Sequence, residues 1–123
     1  MIFFKPETDT DRLCELYKNI TFTPEAVYCR YAAEQASLEI GSILVKVQNG
    51  KCFILDIALT SDDPLNCEGL IRSALNFGAN RGAYMAYTEC AQYRQTLEYL
   101  GFALNDGVYS GEIPELLKGS CCK

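Results

Sequence analysis

The stretch from Lys51 to Gly82, KCFILDIALTSDDPLNCEGLIRSALNFGANRG, limits what this chain can fold into more than any other segment. Phe53, Ile54, Leu55, Ile57, Ala58 and Leu59 form an apolar run broken only by Asp56, the composition of a strand covered on both faces. Asp63 directly before Pro64 then supplies an N-cap oxygen and the preset φ of a first helical turn. Cys67, Leu70, Ile71, Ala74, Leu75 and Gly78 follow on one stripe of a 3.6-residue period, and Arg81-Gly82 end the helix with a cation and a glycine. The spacing predicts a central strand whose own helix packs back on the sheet it enters.

The flanking segments extend this unit. Ile2 to Lys5 reads as a short strand stopped by Pro6, and Thr8 or Thr10 as the N-cap of a helix with Leu13, Leu16, Tyr17 and Ile20 inward. Thr23-Pro24-Glu25 repeats the cap-plus-proline pattern, so a second helix is expected through the Ala-rich segment to Ala36. Glu39 to Gln48 and Cys52 to Leu59 are joined by Asn49-Gly50, the dipeptide of a two-residue type I′ turn, and predict an antiparallel hairpin. Tyr84 to Thr88 is expected to pair in parallel with Cys52 to Leu59, splaying from it near Leu59, because a crossover helix separates them. Cys90 to Leu100 reads as a last helix with Tyr93, Leu97 and Leu100 inward, ended by Gly101. Phe102 enters a final strand reaching about Ser110, and 112–123 form a tail whose Ile113, Leu116 and Leu117 pack back.

At 123 residues the chain is expected to be one domain, 1–123. The formal charge of −5, with Lys and Arg scattered singly, leaves no stripe to neutralise phosphates, which argues against nucleic acid and anionic membranes as partners. The opening residues are too short an apolar run for a signal peptide, so a cytoplasmic protein is expected. Seven cysteines with no C-x-x-C pair and no histidine argue against a zinc site and exclude Cys-His and Ser-His nucleophile pairs. They read as reduced thiols, with Cys14, Cys52, Cys67 and Cys90 expected to react slowly. Cys67, in the first helical turn, has a helix dipole to favour thiolate, against an apolar stripe and the neighbouring Glu68 that disfavour it. Cys121-Cys122 is a vicinal pair that bridges only with strain, leaving redox or inter-chain metal roles open. Asp56 is costly to bury unpaired, so it faces a cavity, has a partner or titrates high.

This order of elements resembles the GNAT family of N-acetyltransferases. Leu55-Asp56-Ile57-Ala58-Leu59 is similar to the family's central fourth strand, and Leu97-Glu98-Tyr99-Leu100-Gly101-Phe102 to the ending of its last helix. The resemblance implies an α+β fold, a mixed β-sheet with helices on both faces, here one hairpin strand short. It implies acyl transfer from acetyl-CoA or another acyl-CoA to the amine of a small molecule or peptide. Asp56 or a water would be the base, the Ile57 and Leu59 backbone would hold the thioester carbonyl, and Asn66, Cys67 and Gly69 would border the coenzyme. Leu97 stands where the family's acidic tyrosine aligns, so Tyr93, one turn earlier, is either its substitute or a packed core tyrosine. The family's paired glycines and basic residue at the helix start are missing. Asp62 and Asp63 stand there instead, and Asp63 can occupy the free amides itself. The alternative is a noncatalytic module that keeps the fold to bind a ligand or a protein.

Overall fold

Turn chemistry and apolar patterning assemble seven strands into one mixed sheet. The computed structural model describes residues 2–60 and 63–118. The strands are β1 (Ile2–Glu7), β2 (Val27–Gln35), β3 (Leu38–Gln48), β4 (Lys51–Leu59), β5 (Met85–Thr88), β6 (Ala103–Asn105) and β7 (Val108–Glu112), in the order β1-β2-β3-β4-β5-β7-β6. Every neighbouring pair is antiparallel except β4 and β5. The helices are α1 (Thr10–Leu16), α2 (Pro64–Asn80), α3 (Arg94–Leu100) and α4 (Ile113–Lys118). Side chains of α2, α3 and α4 share one apolar core with Cys29, Ile43, Val45, Cys52, Ile54 and Ile57. On the opposite face Leu13 of α1 packs with Tyr28 and Leu44. Helices therefore cover both faces, as expected, and no helix among the described residues is long and apolar enough to cross a membrane.

The β3–β4 hairpin turns at Asn49 and Gly50, both with positive φ (53° and 74°), which is type I′ chemistry. Its Gly50-anchored neighbour β5 runs parallel to β4, from Lys51 opposite Met85 to Ile54 opposite Thr88. Gly78 lets α2 approach β4 closely: a Cβ there would lie 2.9 Å from both Cβ and Sγ of Cys52.

Several sequence expectations are corrected. The segment expected as a second helix is β2, a strand between β1 and β3. Its buried residues are Tyr28, Cys29, Ala32 and Ala33, a four-residue repeat produced by a strand covered on both faces that mimics helical periodicity. Its turn to β3 uses Ala36 and Ser37 at φ 53° and 67°, without the residues that normally announce such a turn. Pro6 does not stop β1, because β1 is an edge strand and needs no donor on its open side. The N-cap of α1 is Asp9, not a threonine, and α1 ends at Leu16, which is exposed. The last strand is a hairpin, β6 and β7, folded at Asp106-Gly107. The last helix opens with a 3-10 turn, Ala91–Tyr93, before α3. In the tail, Ile113 and Leu116 of α4 are buried as expected, and 119–123, with Cys121 and Cys122, lie outside the described residues.

Cys52 gives this core a pH signature. It is fully buried between β4 and α2, with its thiol donating toward the Ala74 carbonyl at 3.8 Å, and burial pushes its pKa from the ordinary 9.0 to about 12. Between those values the folded protein keeps a proton that the unfolded chain releases. Stability is therefore intact below pH 9 and is lost as the pH rises toward 12, by about 1.4 kcal/mol per pH unit for one such thiol. Urea titrations from pH 7 to 10.5 should show a flat midpoint that then falls, and the fall should be shallower in Cys52→Ala.

Candidate functional site

The site begins where a ladder ends. Pairing between β4 and β5 covers four residue pairs and stops at Ile54 and Thr88. There the buried Thr88 hydroxyl donates to the Ile54 carbonyl at 3.0 Å and accepts the Cys90 backbone N–H at 3.1 Å, so a side chain replaces the next rung. On its other side β4 carries a bulge: Val45 faces Ile54 and Leu44 faces Asp56, leaving Leu55 as the extra residue. A bulge bends its strand and increases its twist. β5 ends at Thr88, so beyond Ile54 the edge of β4 at Ile57 and Leu59 has no strand partner on that side and leaves a gap.

Two cavities flank this gap. One, of about 480 Å³, lies between the start of α2 and the start of α3, against Leu59, Asp63, Cys67, Tyr93 and Thr96. The other, of about 540 Å³, lies on the opposite face of the sheet, against Phe53, Leu55, Tyr87, Glu89 and Cys90. Asp56 shares the second face, because its cross-strand partner Leu44 packs against α1 and directly opposed residues lie on one side of a sheet. Its charge is felt by both Cys90 and Tyr93.

The thiols and the phenol at the gap are neutral, beside the Asp63 carboxylate and the Arg94 guanidinium that also line the first cavity. Burial pushes the Tyr93 phenol up, the backbone of Leu59 pulls it back by hydrogen bonding, and Cys67, Asp56 and Cys90 push it further up. It is a protonated hydroxyl donor at neutral pH. Burial likewise raises Cys67, opposed by the Thr96 side chain, and raises Cys90, opposed by the Thr88 side chain and the Ile57 backbone. Cys67 is thus a buried thiol in spite of its place in the first turn, which counts against a thiolate nucleophile.

The start of α2 is closed by its own cap. Asp63 Oδ1 accepts the Leu65 N–H at 3.0 Å, occupying an amide that an anion would use. Asn66 is buried, and its Oδ1 has no hydrogen-bond partner among the described residues. Gly69 serves packing: a Cβ there would lie 2.3 Å from Cζ of the Phe4 ring, so its bare Cα lets β1 lie under the helix. Neither Asn66 nor Gly69 lines either cavity, and Asp62 lies outside the described residues. The fold therefore brings Leu59, Cys67 and Tyr93 to one cavity; Asp56 and Ile57 line neither cavity and reach it only through Cys90 and Tyr93, and Asn66 and Gly69 stand apart. Sequence reasoning missed Thr88, Cys90 and Thr96; the one available signal was a threonine closing a short apolar strand.

No family model matches the sequence, and no curated protein does. Solved structures match by fold. The ribosomal-protein-S18-alanine N-acetyltransferase of Escherichia coli superposes with a TM-score of 0.66 at 13% identity, over 92% of this chain and 94% of that one. The IAA acetyltransferase of Bacillus cereus ATCC 14579 does so with 0.65 at 12% identity, over 91% and 99%. The aminoglycoside 6'-N-acetyltransferase of Enterococcus faecium gives 0.62 at 13% identity, over 92% and 97%. The chain has the GNAT fold, and spans nearly the whole of these neighbours once β2 is counted.

Two measurements check this site. Thr88→Val keeps the volume but leaves the buried Ile54 carbonyl and Cys90 amide without the hydroxyl they share. A stability loss of about 1–3 kcal/mol per orphaned group is expected by urea denaturation, with Thr88→Ser losing less. For the thiols, Cys14 corrects the expectation of slow reaction, since it is exposed on α1, whereas Cys29, Cys52 and Cys67 are buried. Native labelling with a maleimide, read by mass spectrometry, should modify Cys14 at least about tenfold faster than those three.

Proposed function

On the frame of the GNAT fold, we propose that this protein transfers an acyl group from acetyl-CoA or a related acyl-CoA to an amine on a small molecule or peptide. The observation that supports the reading is the unpaired end of β4, where Leu59, Cys67 and Tyr93 line one cavity and the Asp56 charge acts on Tyr93 and Cys90. Two of the fold neighbours, the S18-alanine and aminoglycoside enzymes, are N-acetyltransferases, which supports an amine acceptor. The odd number of cysteines and the burial of Cys29, Cys52 and Cys67 in apolar cores support a reducing, cytoplasmic setting.

The residues fit the thioester end of an acyl-CoA and do not fit its diphosphate. Leu59, Cys67 and Tyr93 border the cavity where the acyl end would lie, and an acyl-CoA bound there supplies an activated carbonyl. The Ile57 and Leu59 amides donate to the carbonyl oxygen as it gains charge. Asp56, directly or through a water, would take the proton that an attacking amine loses, and the neutral Tyr93 hydroxyl would supply one to the thiolate leaving group. At the other end, the Asp63 carboxylate occupies the α2 amide that a phosphate would use and adds a like charge.

That same closed helix start, with Gly69 consumed by Phe4, favours a second reading: a noncatalytic module that keeps the fold and has lost coenzyme binding.

Asp63 separates the two. A ligand at a hundred times its Kd stabilises a fold by about 2.7 kcal/mol, several degrees for a domain of this size. Millimolar acetyl-CoA is expected to move the melting temperature by less than about a degree, because its diphosphate finds no cradle. Asp63→Asn keeps a good cap and removes the charge, so the KM for acetyl-CoA should fall about two- to fivefold. Asp56→Asn should cut kcat by about a hundredfold or more. A shift of several degrees in the wild-type protein overturns this account of the helix start. Absence of acetyl-CoA turnover with a broad amine panel, in wild type and Asp63→Asn alike, favours the noncatalytic module.

A further inference from the structure

The path that a donor would follow away from its thioester is built without phosphate contacts. In the first turn of α2 every backbone amide is accounted for. Pro64 has none, the Leu65 N–H donates to Asp63 Oδ1 at 3.0 Å, and the Asn66 and Cys67 N–H groups donate to the Asp63 carbonyl at 3.2 and 3.4 Å. A helix start binds anions through its unsatisfied amides, and this one has none left. The Phe4 ring fills the space beside Gly69, so no bare glycine faces a ligand there either.

Outward from the first cavity the walls turn apolar and acidic. A hollow of about 280 Å³ continues between α2 and α3, sharing Pro64, Gln95 and Thr96 with that cavity. Leu65 and Tyr99 flank it, 74% and 52% exposed, and the one charged residue lining it is Glu68, ion-paired with Arg72 at 2.9 Å. The first cavity sets one exposed cation, Arg94, against one carboxylate, Asp63. The phosphates of a coenzyme bring several negative charges, so one guanidinium beside Asp63 and Glu68 leaves them unfavourably placed in a chain of formal charge −5. A pantetheine arm is neutral, partly aliphatic and rich in amides. It matches these walls, with apolar contact at Leu59, Pro64 and Leu65 and polar partners at Gln92, Gln95 and Thr96.

We infer that donor recognition stops at this arm: the donor class is an acyl-pantetheine thioester without a nucleotide diphosphate, free or tethered to a carrier protein through one phosphodiester. The reaction rests on the acyl-transfer reading, while the binding preference stands on the helix start and the walls of the groove. In that reaction the amine nitrogen bonds to the acyl carbon and the carbon–sulfur bond breaks. The proton that the amine gives up ends on the pantetheine thiol, so an amide and a thiol are the products.

The test uses the purified full chain and three probes: S-acetylpantetheine, acetyl-CoA and an acetylated phosphopantetheinyl carrier protein. Binding is read from NMR shifts of the Leu59, Tyr93 and Thr96 amides, in about 20 and about 300 mM salt. S-acetylpantetheine is expected to bind saturably, with acetyl-CoA no tighter to within about threefold. Added salt should leave the neutral arm unchanged and should not weaken acetyl-CoA, because screening removes repulsion and not attraction. Asp63→Asn should improve acetyl-CoA relative to S-acetylpantetheine by about two- to fivefold; Asp63→Ser, another good cap, replaces it if it fails to fold. Failure of S-acetylpantetheine to bind, acetyl-CoA binding tighter by about tenfold or more, or acetyl-CoA affinity that falls with salt overturns the inference. A carrier-borne arm that binds tighter than the free one upholds the class and assigns the tethered source; equal or weaker binding upholds it and assigns the free one. Acetylation of an amine panel is read separately by product mass. Binding of the arm without turnover of any probe upholds this preference and counts against the acyl-transfer reading. A kcat/KM for acetyl-CoA about tenfold or more above that for S-acetylpantetheine sinks the inference and leaves that reading intact.

Discussion

The hydrogen bond from Thr88 to the Ile54 carbonyl decides the geometry of everything around it. Before it, four ladder pairs tie β5 to β4 and fix the crossover through α2. After it, the donor that β5 would next present is turned into the Thr88 side chain, and β4 has no strand partner on that side. A central strand cannot leave buried backbone groups unpaired, because each costs free energy comparable to a lost hydrogen bond. The edge at Ile57 and Leu59 is served instead by the Cys90 thiol and the Tyr93 hydroxyl. A thiol is a weak partner, and a hydroxyl can rotate; a ligand carbonyl can replace either at little cost.

The other end of the site follows the opposite rule. At the start of α2 the Leu65 amide is taken by the Asp63 carboxylate, a charge-assisted partner whose displacement by a phosphate would set anion against anion, and the Asn66 and Cys67 amides by the Asp63 carbonyl. The glycines of α2 are spent on architecture: Gly69 on the Phe4 ring and Gly78 on Cys52. Each allows the helix to lie closer to a strand than a Cβ would permit, and neither touches a cavity. The helix is seated by the same residue type that, in a phosphate-binding loop, would be left bare for the ligand.

How much of this was legible in the sequence depended on the range of the interaction. The β3–β4 hairpin and α2 are written in local chemistry, Asn49-Gly50 at one turn and Asp63-Pro64 at one cap, and both appear where expected. β2 was hidden because burial on both faces gives Tyr28, Cys29, Ala32 and Ala33 the spacing of a helix, and because alanine favours helix in isolation. The sheet overrode that propensity by pairing β2 on both edges. Asp56 could be singled out because a lone carboxylate in an apolar strand always needs an explanation. Thr88 and Cys90 could not, since a ladder's end depends on where the chain turns next and not on the residues in the ladder. Gly69 misled for a related reason: a glycine near a helix start has the same spelling whether it faces a phosphate or a phenyl ring.

These two ends together set what a donor can gain here. A coenzyme held mainly by its diphosphate would depend on charge, and in a chain with a formal charge of −5 and Asp63 at the cradle that contribution is unfavourable. What remains favourable is short-range: the strand edge at Leu59, apolar contact with Leu59 and Cys67, and a neutral phenol. The amide and phenol hydrogen bonds among these would strengthen as charge develops on a reacting carbonyl, whereas the apolar contacts would bind ground state and transition state alike. Weak coenzyme binding is therefore compatible with the proposed acyl transfer. For the proposed reaction, the closed helix start bears on coenzyme affinity and leaves the unpaired edge of β4 beyond Ile54 unaltered.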